Sequence, residues 1–214
     1  MNDRPGIEQS EFLNFLAANT FAESNRLPSL AELSHELGIS IATLREQLEV
    51  ARALGLVEVK PKTGIRRLDY TFQPAVIKSL TYAVTTDPHL FELCSDLRNH
   101  IETSYWYEAA SRLTPEDLAA LQGLIQDAWA KLRGPMVQIP HTEHRDLHLL
   151  IYRRLDNPFV TGFLEAFWTM YEVVGLNVYT DLNYLQKVWE YHEKWSVISV
   201  RVISPPGTRR LWST

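Results

Sequence analysis

The sequence contains a single cysteine, Cys94, so no disulfide can close within the chain, and a reducing cytoplasm is the compartment that fits. No apolar run approaches the ~20 residues needed to cross a bilayer. The start, Met1-Asn2-Asp3-Arg4-Pro5, lacks the basic and apolar stretches of a secretory signal, so the expectation is a cytoplasmic protein that does not contact a membrane. Internal repeats and low-complexity segments are also missing. So is any overall excess of positive charge: the 214 residues carry a net charge of −5, which argues weakly against nucleic acid as a partner. What is present reverses that argument. Residues 41 to 67 hold Arg45, Arg52, Lys60, Lys62, Arg66 and Arg67 against Glu46, Glu49 and Glu58. An acidic chain therefore has a local basic patch of the kind that phosphate contacts require.

The order of elements around that patch is informative. Residues 6 to 16 predict an amphipathic helix with Ile7, Phe12, Phe15 and Leu16 inward. Ser29, with Glu32 three residues on, predicts a capping box for a second helix that carries Leu30, Leu33 and Leu37 and stops at Gly38. Ser40 caps a third helix with Leu44, Leu48, Ala51 and Leu54 on one face and Gly55 beyond its end. Leu56 to Lys60 alternates like a strand, residues 61 to 64 make a turn, and Ile65 to Leu68 returns. Three helices and a β-hairpin in this order predict a winged helix-turn-helix over residues 1 to 69. Ser29, Ser40, Thr43 and Arg45 are its candidate DNA contacts on the helices, and Lys60, Lys62, Gly64, Arg66 and Arg67 those in the hairpin.

Residues 70 to 73 read as a linker, and residues 74 to 214 as an all-α bundle. Residues 87 to 112 place Leu90, Leu93, Leu97, Ile101 and Tyr105 on one stripe, expected to face the core. Cys94 lies among these apolar residues and reads as a small core side chain. Thr114-Pro115-Glu116-Asp117 is a strong helix start, followed by Leu118, Leu121, Ile125, Trp129 and Leu132. Residues 140 to 155, 158 to 178 and 181 to 195 predict three further helices. Beyond them, Val197, Ile198, Val200, Val202 and Ile203 are β-branched and Pro205-Pro206-Gly207 follows, so the tail from 196 is expected not to be helical, leaving the bundle open on one side.

Histidines concentrate in the second half. His141, His144 and His148 follow at i, i+3 and i+7, near one face of a helix. His144 and His148 can share an ion, and neutral imidazole suits zinc or nickel. His192, on a later helix, could close a third side, as facing helices do in bundle metal sites. The plainer reading is that these side chains line a polar pocket. His141 follows Pro140 at the helix start and reads as a surface residue, and Asp146 falls on the wrong side of the helix to join His148. His35, His89 and His100 read as ordinary hydrogen-bonded histidines.

Taken together, these motifs resemble the GntR family of bacterial regulators, and its FadR-like branch with an FCD-type effector domain. The resemblance rests on Leu27-Pro28-Ser29, Leu37-Gly38-Ile39-Ser40, Leu44-Arg45-Glu46-Gln47-Leu48 and Leu54-Gly55-Leu56-Val57 in the first part. In the second it rests on Arg98 with Glu102, on Leu147-His148 followed by Asn157-Pro158, and on His192. It implies a non-enzymatic homodimer that reads a double-stranded DNA operator and senses a small acidic metabolite, a carboxylate. It makes Arg98 an effector-binding residue; an ion pair with Glu102 is the simpler role for that side chain. It puts His144 where the family has an aspartate ligand and matches His192 to a third ligand. The fourth would fall near Thr214, where there is no histidine. Ala31 and Ile41 stand where the family has arginines and only Arg45 remains, so DNA affinity is expected to lean on Lys60, Lys62, Arg66 and Arg67 of the hairpin. Two other classes are compatible with parts of the chain: a metal-dependent hydrolase using His144, His148 and His192 to activate water, and a dimerisation module that has lost DNA binding.

Overall fold

A computed structural model describes residues 10–19, 25–174 and 182–203. The chain divides into two compact units, Met1–Lys78 and Ser79–Thr214. The division falls inside a helix rather than in the linker expected at 70 to 73.

In the first unit, α1 (Glu11–Ala18), α2 (Leu30–Leu37) and α3 (Ile41–Ala53) precede a hairpin of β1 (Val57–Lys60) and β2 (Gly64–Arg67). α1 starts at Glu11 rather than near residue 6. Ser10 has extended backbone and accepts from the Leu13 N–H, so it is the cap rather than a helical residue. Ile7 lies outside the described residues. The capping box of Ser29 and Glu32 is formed, and Gly38 closes α2 in the left-handed conformation. Phe12, Leu33, Leu44 and Ala51 are fully buried where the three helices meet, with Val57 and Ile65 of the hairpin completing the core. The Gln47 side chain of α3 accepts from the Phe12 N–H at 3.0 Å and so ties α1 to α3. β1 and β2 are antiparallel, with Val57 opposite Arg67 and Lys60 opposite Gly64. A third segment, not foreseen, joins them: the Leu27 N–H donates to the Ile65 carbonyl at 2.9 Å, and Arg26 bridges Arg66.

α4 (Gln73–Thr86) leads into α5 (Leu90–Ser111), α6 (Pro115–Arg133), α7 (His141–Tyr152), α8 (Pro158–Val174) and α9 (Leu182–Ile203). Within the second unit α5 and α6 each pack against both α7 and α9, and α8 packs on α5 and α7. Thr114 and Asp117 form the capping box of α6. The Asp117 carboxylate, fully buried, also receives the guanidinium groups of Arg153 and Arg154, which fastens the end of α7 to the start of α6.

Two further expectations need correction. The stripe on α5 is only partly inward: Leu93 is 56% and Leu97 49% exposed, Leu90, Ile101 and Tyr105 are half-buried, and Phe91, Glu102, Ala109 and Ala110 are buried. Arg98 and Glu102 take part of the inward face, where they build the site below, and Leu93 and Leu97 fall outside it. Cys94, beside it, is half-buried. The second correction concerns the tail, where α9 continues to Ile203. A β-branched residue costs a helix only a few tenths of a kcal/mol, whereas proline ends one. The helix runs on until just short of Pro205-Pro206. Residues 204 to 214 lie outside the described residues. No described helix is long and apolar enough to cross a membrane.

Candidate nucleic-acid interface and histidine centre

Leu44, Leu48 and Ala51 hold α3 against the core, which turns Ile41, Ala42, Thr43, Arg45, Glu46 and Glu49 outward. Of the expected contacts on the helices, Ser29, Ser40, Thr43 and Arg45 are all exposed. Ser29 and Ser40 also work as caps, and the Ser40 and Thr43 hydroxyls share a hydrogen bond of 2.9 Å. Ile41, 41% exposed, presents a methyl-rich surface at the first turn of α3. In the hairpin, Lys60 pairs with Glu58 at 2.7 Å, and Lys62 stands at the tip with φ 72°. Arg66 is exposed, whereas the Arg67 guanidinium donates to the Asn19 carbonyl at 3.2 Å and so takes part in holding the fold. Gly64, φ 77°, lets the chain turn into β2 beside the Arg26 side chain. Arg26 is exposed and adds a cation to the hairpin that sequence reading missed. Its only sequence signal was its place just before Leu27-Pro28.

The second unit brings His144 and His148 of α7 together with His192 of α9; their candidate ligand atoms all lie within 4.8 Å of one another. An ion bound at ~2.0–2.1 Å from each nitrogen would require the more widely separated of them to close in by about 1 Å. His148 and His192 are buried, and His144 opens on a cavity of about 60 Å³ lined also by Arg98, His141, Tyr171 and Tyr184. The His144 ring has five aromatic neighbours with centroids within 6 Å: His148, Trp168, Tyr171, Trp189 and His192. Burial among these rings holds the His144 imidazole well below its ordinary range, and the neighbouring His148 and His192 add to this. Burial, then His148, brings His192 down to about 3. Both imidazoles are therefore neutral at physiological pH, the form that ligates a metal.

One carboxylate stands behind the trio. Glu102 of α5 is 5% exposed, yet its side chain faces His148 Nδ1 at 3.0 Å and accepts from Arg98 at 2.8 Å. Burial alone would raise the Glu102 carboxyl; His148 and Arg98 outweigh it and bring it down to about 2. The Tyr152 hydroxyl donates to the Glu102 backbone carbonyl at 2.9 Å, fixing this turn of α5. An ionised carboxylate can only accept, so Nδ1 of His148 is the donor. In the neutral ring Nε2 then carries the lone pair, and this buried atom has no hydrogen-bond partner. An orphaned acceptor beside two neutral imidazoles fits a divalent ion.

Arg98 pairs with Glu102, the simpler of the roles read in sequence, and it also lines the cavity. Its guanidinium carbon lies 4.9 Å from the Phe167 ring centre and 5.0 Å from that of Trp168. His141 lines the cavity without joining the trio, and Asp146 lies apart, paired with Arg145 in a groove of about 520 Å³. His35, His89 and His100 are exposed; His89 faces Glu92 and His100 faces Asp96. Glu102 was noticed in sequence only as a partner for Arg98; its contact with His148 spans 46 residues and left no local signal.

Residues 94–196 match the family model described as the FCD domain. An uncharacterised HTH-type transcriptional regulator of Mycobacterium tuberculosis is 31% identical over 151 residues, 65% of this chain and 61% of that protein. The chain thus spans about 61% of the length of that relative. Among solved structures, Streptococcus agalactiae GntR superposes with a TM-score of 0.58 at 16% identity, covering 90% of this chain and 87% of its own. Residues 94–196 thus match an FCD domain, in a chain whose fold is similar to that of the GntR structure. The matched segment contains Arg98, Glu102 and all three histidines, so the histidine centre belongs to the FCD portion. The GntR fold, mostly helical with one small antiparallel sheet, is the architecture expected from sequence.

Proposed function

We propose that this protein is a GntR-family, sequence-specific DNA-binding transcriptional regulator whose FCD domain holds a divalent metal, zinc or nickel, and responds to a small carboxylate. The observation that carries this reading is the convergence of His144, His148 and His192 beside a cavity that His144 and Arg98 both line, in the same chain as an outward-facing α3. The three histidines would hold the ion, which supplies an electrophilic anchor for a carboxylate oxygen. Arg98 would take the same anion through its guanidinium, and the aromatic rings around His144 exclude bulk water. About 60 Å³ admits a small anion or a few waters. The similarity to an HTH-type regulator supports DNA as the macromolecular partner.

We further propose a homodimer of the FadR type, with the exposed stripe of Leu93 and Leu97 on α5 covered by a second copy. A two-fold pair of reading heads matches a near-palindromic operator. Among the described residues the carboxylate in contact with the trio is Glu102, and it is bound to Arg98 and His148, which does not favour a role as general base in hydrolysis. Selection of bound sequences from a random duplex pool, with and without zinc and a panel of small carboxylates, tests the reading. Enrichment of one inverted repeat supports it; recovery of no preferred sequence under any condition overturns it.

A further inference from the structure

Glu102 is buried in the second unit, and an ionisable side chain in such a place needs a reason. It has two partners through its carboxylate and a third through its backbone, and they come from two helices: Arg98 on its own helix, His148 and Tyr152 on α7. A fold needing only to neutralise Arg98 could do so at the surface. Here the carboxylate is carried inward to Nδ1 of an imidazole whose other nitrogen is buried without a partner.

Resting on the metal reading above, we infer that Glu102 is a positioning residue for His148: its carboxylate fixes the Nδ1–H tautomer, turns the Nε2 lone pair into the histidine trio, and strengthens it as a donor. The imidazole has two tautomers, and only one presents a lone pair at Nε2. A carboxylate acceptor at 3.0 Å selects that tautomer before any ion arrives and restrains the ring from rotating. It also pulls on the Nδ1 proton, which raises electron density at Nε2. His144 makes the restraint valuable. With three imidazoles as its donors the trio supplies no negative charge of its own, and Glu102 behind it lends one. That charge is shared with Arg98, which places the anion-binding group and the metal ligand on one carboxylate.

Two measurements on the full-length protein test this. In metal-free wild type, long-range nitrogen–proton NMR of the histidine rings should show His148 protonated at Nδ1. A proton on Nε2 instead would overturn the inference whatever any variant does. Zinc affinity, by competition with a chromophoric chelator, should fall ~10–100-fold in Glu102→Gln. In Arg98→Gln, where the carboxylate stays and a nearby positive charge goes, it should hold or rise. Equal weakening in both variants would mean that Glu102 acts through Arg98 and the fold, and would overturn the positioning role. Zinc binding unchanged in Glu102→Gln would overturn it while leaving the metal reading intact. Wild type that binds no zinc would sink the metal reading itself, and this inference with it, before any variant is made.

Discussion

Gly55 sits so close to Pro74 that a Cβ added to it would lie 2.5 Å from the proline Cγ. Its φ is also +72°, so two independent penalties meet at the turn out of α3. Gly55→Ala should therefore lower stability by about 2–4 kcal/mol, combining the left-handed strain with the clash. Gly38 is the control: φ is +67° but nothing lies within 4 Å of its Cβ position. Gly38→Ala should cost only about 1–2 kcal/mol. Urea unfolding followed by far-ultraviolet circular dichroism compares the two; equal losses would mean that Pro74 yields freely.

Metal-free protein should lose stability on acidification, and the direction follows from the buried histidines. His144 is held below its ordinary range and His192 near 3 in the folded chain, against about 6.5 in the unfolded one. Below about pH 6.5 the unfolded chain takes up protons that the folded chain refuses, so stability falls by up to about 1.4 kcal/mol per pH unit for each such histidine. For His192 this continues until the pH passes about 3. Glu102 acts in the same direction lower down. Its stabilisation is present above about 4.3 and is lost as the pH falls through about 2. Denaturant midpoints in EDTA at pH 7.5, 6.5 and 5.5 check this; a flat profile would mean that the imidazoles reach water.

Zinc or nickel should raise the melting temperature of wild-type protein near neutral pH by mass action. His148→Ala and His192→Ala should abolish the shift, and His141→Ala, which lines the cavity outside the trio, should keep it. The same shift in all four proteins would locate any bound ion elsewhere.

On DNA, Arg45→Ala should weaken the selected operator by about 1–3 kcal/mol and relax its sequence preference. Lys62→Ala and Arg66→Ala should weaken all duplexes alike and lower the salt dependence of binding. Arg26→Ala should resemble them, since its exposed side chain stands beside the hairpin turn. Gel shifts over a salt series separate the two patterns. Binding undisturbed by all four substitutions would remove α3 and the hairpin from the interface.

Leu97→Glu places a charge in the exposed stripe of α5 without touching a buried residue. Sedimentation should then change from dimer to monomer with helicity intact. A wild type that sediments as a monomer at micromolar concentration would rule out the two-fold arrangement.

The first unit was the more legible because its signals are local. Ser29 with Glu32, Gly38 and Ser40 each act within three or four residues, and the caps form where the spacing put them. The hairpin followed from the alternation in Val57–Lys60 and the turn after it. The strand-like contact of Arg26 and Leu27 was invisible because its partners are Arg66 and Ile65, far along the chain. In the second unit the His144 and His148 spacing was visible on one helix, whereas α5 misled: its leucines pointed to a core face that the structure gives to Arg98 and Glu102. The end of α9 misled for a related reason, since propensity is a weaker term than the packing of the same helix upstream, where Leu185 and Trp189 are buried.

The trio has a consequence for the chain as a polymer. His148 and His192 meet from α7 and α9, which both pack against α5 and α6, and they stand at the two ends of a long stretch of sequence. An ion held by both would be a cross-link closing a loop of roughly 45 residues, and in the chain-entropy picture such a closure removes ~4 kcal/mol of freedom from the unfolded state. Cys94 cannot supply that constraint, having no second cysteine to pair with. A reducing compartment would leave such a staple untouched, and a chelator would dissolve it.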